Sequence, residues 1–272
     1  YGEIPGVTLT TPSLGARLNV ANRLISESFR PTGSPRSRAD RSIMANDNQT
    51  DAGADTADLF RDEANEQWDA IDSFLAASLV PQDDVLDALL ASSEAEGLPP
   101  IQVNPLQARM LWLLARTAGA RSALEVGTLG GYSTVWLARA VTGAGRVVSI
   151  ERDAHFAKVA RRNLKEAGVD GVATVEHGEA IDVVSRLVDE GAGPFDFVFL
   201  DVDRVNNTDL LPLALKLSHG RTVIVVSVKD LLRETRGMVK FLRSQPQLAA
   251  TAVQAIGSDG YHGFLVIVPD RH

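Results

Sequence analysis

The sequence predicts an α/β protein built on a seven-stranded, mostly parallel, doubly wound sheet with an N-terminal helical cap. Three observations carry that reading. From Ser122 onward, short runs rich in Val, Ile and Phe alternate with segments of helical length, as βαβ units do. The first of these strands runs straight into Gly127-Thr128-Leu129-Gly130-Gly131, a turn of small residues before a helix. Ahead of them, apolar residues recur at helical spacing.

The elements follow in order. From Asp47 to Glu96 the chain has fourteen acids and one base, Arg61. Phe60, Ala64, Trp68, Ile71, Phe74, Leu75 and Leu79 recur there at helical spacing, which predicts an acidic amphipathic helix. A short helix around Val85–Leu90 and a third over Leu106–Thr117, opened by Asn104-Pro105, complete the cap, because proline suits the first helical position. Strands are expected at Ser122–Val126, Val147–Ile150, Val172–Val175, Phe195–Leu200 and Thr222–Val226. Helices are expected between them at Tyr132–Val141, Ala154–Ala167, Glu179–Glu190 and Thr208–Leu217. A helix over Lys229–Arg243 leads to two last strands near Ala250–Ala255 and Phe264–Val268.

Composition narrows the chemistry. A net charge of -8 disfavours a nucleic-acid partner, which needs clustered Lys and Arg. No apolar run approaches the roughly 20 residues of a membrane-spanning helix, so no membrane partner is expected. Zero cysteines remove disulfides, thiolate metal sites and cysteine nucleophiles. Carboxylates, hydroxyls, His, Lys and Arg remain. Residues 1–43 stand apart, with six Arg, no Lys and only Glu3, Glu27 and Asp40 as acids. That composition suits a mitochondrial presequence or a non-native or disordered leader, with Met44 offering a natural start. The expected organisation is a leader and linker over 1–56 and one domain over 57–272. The location is then cytoplasmic, or mitochondrial if the leader is a genuine presequence.

A strand feeding Gly127 to Ser133 places small residues where a ligand must approach the backbone. Such a turn also serves as a plain βα connection. Leu129 stands where a dinucleotide fingerprint needs glycine, which counts against NAD. Glu151 ends the next strand, about where an acid grips ribose hydroxyls in nucleotide-binding sheets. Asp201 ends the fourth, at the sheet edge where open α/β proteins bind ligands, although a solvated turn could also carry it. His155, His177, His219 and His262 form no spaced ligand pair, and Tyr132 and Trp136 read as packing residues.

The blocks Ile101 to Gln107, Leu124 to Ser133, Ser149 to Asp153, Phe195 to Asp203 and Gly257 to Phe264, at their spacing, resemble the class I O-methyltransferases of the catechol and caffeoyl-CoA type, above all the small bacterial members. The resemblance spans about Leu98 to Val268. It implies a Rossmann-like methyltransferase fold whose last strand is antiparallel, S-adenosylmethionine as cofactor, a small hydroxylated acceptor, aromatic ones included, and a homodimer. It further implies that Val103, Gly127 and Leu129 flank the cofactor, that Glu125 and Ser133 hold its amino-acid end, and that Glu151 binds the ribose. Ala180 borders the adenine, and Asp201 faces the reacting end. In the same family a divalent cation sits on that aspartate and on an Asp-Asn pair ending strand five, where this chain has Ser227-Val228, and Asp230 could replace them only if the chain re-registered by about one helical turn. The family's general-base lysine falls at Arg204, which stays protonated but can stabilise an oxyanion. The sequence therefore predicts O-methyl transfer without the divalent metal site, with Asp201 and Arg204 as catalytic residues. The alternative is a non-catalytic S-adenosylmethionine-binding or interaction protein derived from this family.

Overall fold

A computed structural model describes residues 68–202, 206–228, 231–257 and 260–269, all within one unit, Phe60–His272. Arg204, Asp230 and the leader lie outside the described residues, as do Phe60 and Ala64. Helix α1 covers 68–79, α2 Asp84–Ala95 and α3 Pro105–Thr117. The wound region then alternates β1 Ser122–Val126, α4 Tyr132–Ala140, β2 Arg146–Glu151, α5 Ala154–Glu166, β3 Ala173–His177, α6 Ala180–Asp189, β4 Phe195–Leu200, α7 Asn206–Lys216 and β5 Ser218–Val228. Helix α8 Leu231–Arg243 leads to β6 Leu248–Gly257 and β7 Gly260–Pro269. Among the described residues no helix is long and apolar enough to cross a membrane.

The sheet order is β3-β2-β1-β4-β5-β7-β6, with β7 antiparallel to both its neighbours. Strand alternation divides the apolar side chains between two cores. Ala123, Phe197, Phe199 and Val225 point to the face covered by α2 to α5. Leu124, Val126, Val198, Leu200, Ile224, Val226 and Val228 point to the face covered by α6 to α8. Phe197 and Phe199 are fully buried, so truncating either to alanine costs about 3 to 5 kcal/mol.

Local signals explain the helix starts. Asn104 and Gln107 form a reciprocal capping box around α3, with Pro105 at its first position. Asp83 caps α2 and pairs with Arg139 of α4. Helix α2 is longer than the sequence suggests, because Ser92 and Ser93, weak helix formers, find partners on α5 and in their own helix. Strand β5 is also longer, since it begins directly after α7. On α1, Trp68, Leu75 and Leu79 stay exposed, so this amphipathic stripe is less covered than its pattern suggests.

The end of the sheet away from the glycine turn is tied by Asp196. Its carboxylate accepts from the Arg121 and Ser122 amides at 2.9 Å and from the Ser122 hydroxyl at 3.0 Å, and His219 Nε2 lies 2.9 Å away. Burial opposes the charged form, but the bonds from His219, Arg121 and Ser122 outweigh it and hold the carboxyl at about 2 instead of 3.8. A depressed carboxyl stabilises the fold above its ordinary value and loses that contribution as pH falls through the folded one. Asp196→Asn should therefore lower the thermal midpoint at neutral pH and flatten its decline between about pH 4 and 2, as differential scanning fluorimetry would read.

Candidate active site

Strand β1 lies between β2 and β4, where the winding reverses direction. The Gly127 amide donates to the Ile150 carbonyl at 2.9 Å, and the Asp201 amide donates to the Val126 carbonyl at 2.8 Å. The turn leaving β1 is thus anchored to both neighbours. Gly127 has φ +103°, and a Cβ there would come within 2.1 Å of the Asp201 carbonyl oxygen. Only glycine fits. Leu129 takes φ +50°, a left-handed conformation uncommon for a side-chain-bearing residue. Its amide donates to Glu151 Oε2 at 2.8 Å, while the Asp153 amide donates to Oε1 at 2.9 Å. Both oxygens of Glu151 are therefore oriented and still have lone pairs for hydroxyl donors. Gly131, also left-handed, starts α4 without a side-chain cap, so the first-turn amides of that helix suit an anionic group.

These pieces surround a cavity of about 280 Å³. Val103, Gly127, Leu129, Ser133, Glu151, Ala180 and Asp201, expected near the cofactor from the sequence, all line it. Lining residues to which that reading gave no role include Ile101, Gln102, Arg152 and Phe156. Ile101 and Gln102 immediately precede Val103, and Ile101 is 56% exposed, an apolar side chain left at the mouth. Arg152 and Phe156 follow the strand-end acid on the loop and first turn of α5. Adjacency to Glu151 was the available signal. Tyr132 also lines the cavity, whereas Trp136 packs in the core beneath α4. His155 Nε2 donates to the Glu96 carbonyl, His177 is exposed at the end of β3, and His219 sits with Asp196 at the opposite end of the sheet.

Glu125 occupies a different layer. It is fully buried and absent from the cavity wall, with Ser133 of the next helix on that wall instead. Ser149 Oγ donates to its Oε2 at 2.6 Å, Thr134 Oγ1 donates to the same oxygen, and Oε1 has no hydrogen-bond partner. Burial pushes this carboxyl up to about 7; the hydroxyls of Ser133, Ser149 and Thr134 oppose the rise, and the charge of Asp201 adds to it.

Residues 76–230 match the family model described as O-methyltransferase. A catechol O-methyltransferase of Mycobacterium tuberculosis is 41% identical over 206 residues, covering 71% of this chain and 92% of that one. The chain belongs to the O-methyltransferase family. An O-methyltransferase from Bacillus cereus, crystallised in complex with SAH, superposes with a TM-score of 0.71 at 37% identity, covering 75% of this chain and 99% of the other. The O-methyltransferase TomG from Streptomyces achromogenes, in complex with SAM, gives 0.70 at 33% identity, with 76% and 99% covered. This O-methyltransferase is accordingly an enzyme whose cofactor is S-adenosylmethionine and whose fold is the Rossmann-like one expected. The site fits that cofactor: a fixed carboxylate for the ribose, uncapped helix amides for the carboxylate, and acids near its positive charges. The family's divalent cation fits poorly among the described residues. Asp201 and Ser227 face the cavity, but Val228 is 2% exposed and packed in the second core.

Two outcomes follow for this O-methyltransferase. Glu151→Ala should raise the calorimetric Kd for S-adenosylmethionine ten-fold or more, since charge-assisted hydrogen bonds contribute about 1.5 to 3 kcal/mol each; an unchanged Kd in a folded variant removes Glu151 from the site. Glu125 carries a proton in the cofactor-free enzyme below about pH 7, and a cationic ligand favours its ionised form. S-adenosylmethionine binding near pH 6.5 should therefore release protons, read from the buffer dependence of the binding heat, and Glu125→Gln should abolish that release.

Proposed function

We propose that this O-methyltransferase acts on a small hydroxylated acceptor, phenols foremost, and does so without a divalent metal. The observation that carries the second half is the end of β5, where Ser227 takes the wall position and Val228 turns into the core. A hard cation needs several oxygen ligands, and Asp201 is the carboxylate on that part of the cavity wall. The catechol O-methyltransferase relative supports a phenolic acceptor.

In this reading the cofactor contributes an electrophilic methyl group on a positively charged sulfur. The chain aligns the two reactants and handles the acceptor's proton. Glu151 and the glycine turn hold the adenosyl half, and Ser133 and the α4 amides hold the amino-acid end. Asp201 accepts the proton of the acceptor hydroxyl as its oxygen forms the new bond to carbon and the carbon–sulfur bond breaks. Arg204, three residues beyond, stays charged and stabilises the developing oxyanion. Removing a metal removes an electrostatic aid to ionisation, so acidic phenols should be preferred. The proposal includes a catalytic domain over 57–272 behind a leader at 1–56, supported by the change in composition there. It also includes a homodimer, supported by the apolar side chains exposed on α1, and a cytoplasmic location, supported by the bacterial relatives.

The test is turnover against catechols, flavonoids and hydroxylated quinones after chelation, with magnesium or manganese then restored. Activity should be unchanged by either step. Turnover that collapses with chelator and returns with metal overturns metal independence and makes Asp230 the first ligand to examine. Cofactor binding without methylation of any of these acceptors overturns the acceptor assignment.

A further inference from the structure

Asn163 is a buried amide of α5, 1% exposed, with no place on the cavity wall. Its side chain joins three segments. Oδ1 accepts from Ser92 Oγ at 2.9 Å, and Nδ2 donates to Ser93 Oγ at 3.1 Å and to the Gly130 carbonyl at 2.9 Å. The first two partners sit near the end of cap helix α2, and the third is the middle of the cofactor turn. Contact there is close: a Cβ on Gly130 would come within 2.3 Å of Ser93 Oγ. Ser93 is itself aimed by donating to the Leu89 carbonyl at 2.9 Å.

The stretch that follows α2 carries Ile101, Gln102 and Val103, which form one wall of the cavity, while Leu129 and Gly130 belong to another. Both walls therefore meet at one amide. A carbonyl bonded to a buried, fully satisfied side chain cannot rotate without leaving polar groups unpaired, a cost of about 1 to 3 kcal/mol for each. Holding the Gly130 carbonyl also fixes the peptide plane between Gly130 and Gly131, and Gly131 starts the helix whose first amides face the cofactor. A second tether joins the same two helices without touching the turn. Arg162 on α5 bonds Glu96 Oε1 at 2.7 Å and Ser92 Oγ at 2.9 Å.

From this arrangement we infer that Asn163 is a positioning residue for cofactor binding, which locks the glycine turn to the cap and so sets the geometry of the adenosyl site. The inference rests on the cofactor occupying this cavity and is independent of the acceptor and of the metal. It distinguishes Asn163 from a residue that merely holds the fold together. Loss of a packing amide lowers stability everywhere, whereas loss of this one also loosens the site.

The experiment compares S-adenosylhomocysteine binding to the full chain, by calorimetry at 25 °C, for wild type, Asn163→Ala and Arg162→Ala, with thermal midpoints measured in parallel. Asn163→Ala should raise Kd about ten-fold, and Arg162→Ala less than two-fold even if it lowers the midpoint. A Kd unchanged in Asn163→Ala, or raised equally in both variants, overturns the inference. No binding by wild type overturns the site assignment instead. If Asn163→Ala does not fold, Asn163→Leu, of similar size but unable to bond the Gly130 carbonyl, supplies the same reading: its Kd should rise likewise, and an unchanged Kd in the folded variant overturns the inference.

Discussion

The approach of the Gly127 backbone to the Asp201 carbonyl is the contact on which the site depends. Strands β1 and β4 must lie side by side for the sheet to wind outward in both directions, and their ends must then diverge to open a cleft. At that point a side chain on residue 127 would occupy the space of the β4 main chain. With hydrogen there, the turn folds tightly enough for Leu129 to bring its amide to Glu151, whose carboxylate is oriented by the same turn. The left-handed cost at Leu129, of order 1 kcal/mol, is offset by a charge-assisted bond that would otherwise be lost. Sheet topology, turn conformation and ligand geometry are one constraint.

Two glutamates near this turn show how environment divides labour between identical side chains. Glu151 is anchored by two main-chain amides and lines the cavity, so its charge is available to a ligand. Glu125 lies behind the wall among hydroxyls, with one oxygen lacking a partner. A buried carboxylate with an unsatisfied oxygen is costly unless a proton or a nearby positive charge compensates it. The ammonium of S-adenosylmethionine would be such a charge if its amino-acid end lies against Ser133, which lines the cavity in front of this layer. On that placement the unsatisfied oxygen couples protonation to cofactor occupancy.

Much of this was legible in the sequence because it depends on local pattern. The seven strands and the helices between them follow from alternating runs, and the start of α3 follows from Asn104-Pro105. Glycines 127, 130 and 131 announced a turn, and Glu151 announced its partner. The misses have a common physical cause. Asn163 looks like any polar residue on an amphipathic helix, since its importance comes from Ser92, Ser93 and Gly130, all distant along the chain. Arg152, Phe156 and Ile101 join the cavity through the packing of the cap and α5, which periodicity does not encode. Glu125 reads as a cofactor residue from the family pattern, while its place behind the wall that Ser133 lines depends on three-dimensional packing. Asp201 was legible as a strand-end acid, while Arg204 rests on the family pattern.

The change at the end of β5 can be understood from the same alternation. Ile224, Val226 and Val228 lie on one face of the strand and pack into the second core, so position 228 continues an apolar row. Burying a valine there contributes about 1.5 to 3 kcal/mol, while a polar side chain would need a partner to compensate its desolvation. Ser227, on the opposite face, remains at the cavity and pairs across the sheet with Phe264. The chain has therefore exchanged a polar strand end for packing. Such an exchange is tolerable in a methyltransferase because the reaction draws its driving force from an activated methyl group, and the protein's tasks are alignment and removal of one proton. Alignment survives intact in the glycine turn and Glu151. In the metal-free reaction proposed above, proton removal is the weaker step, so acceptors whose hydroxyls are hardest to ionise should turn over most slowly.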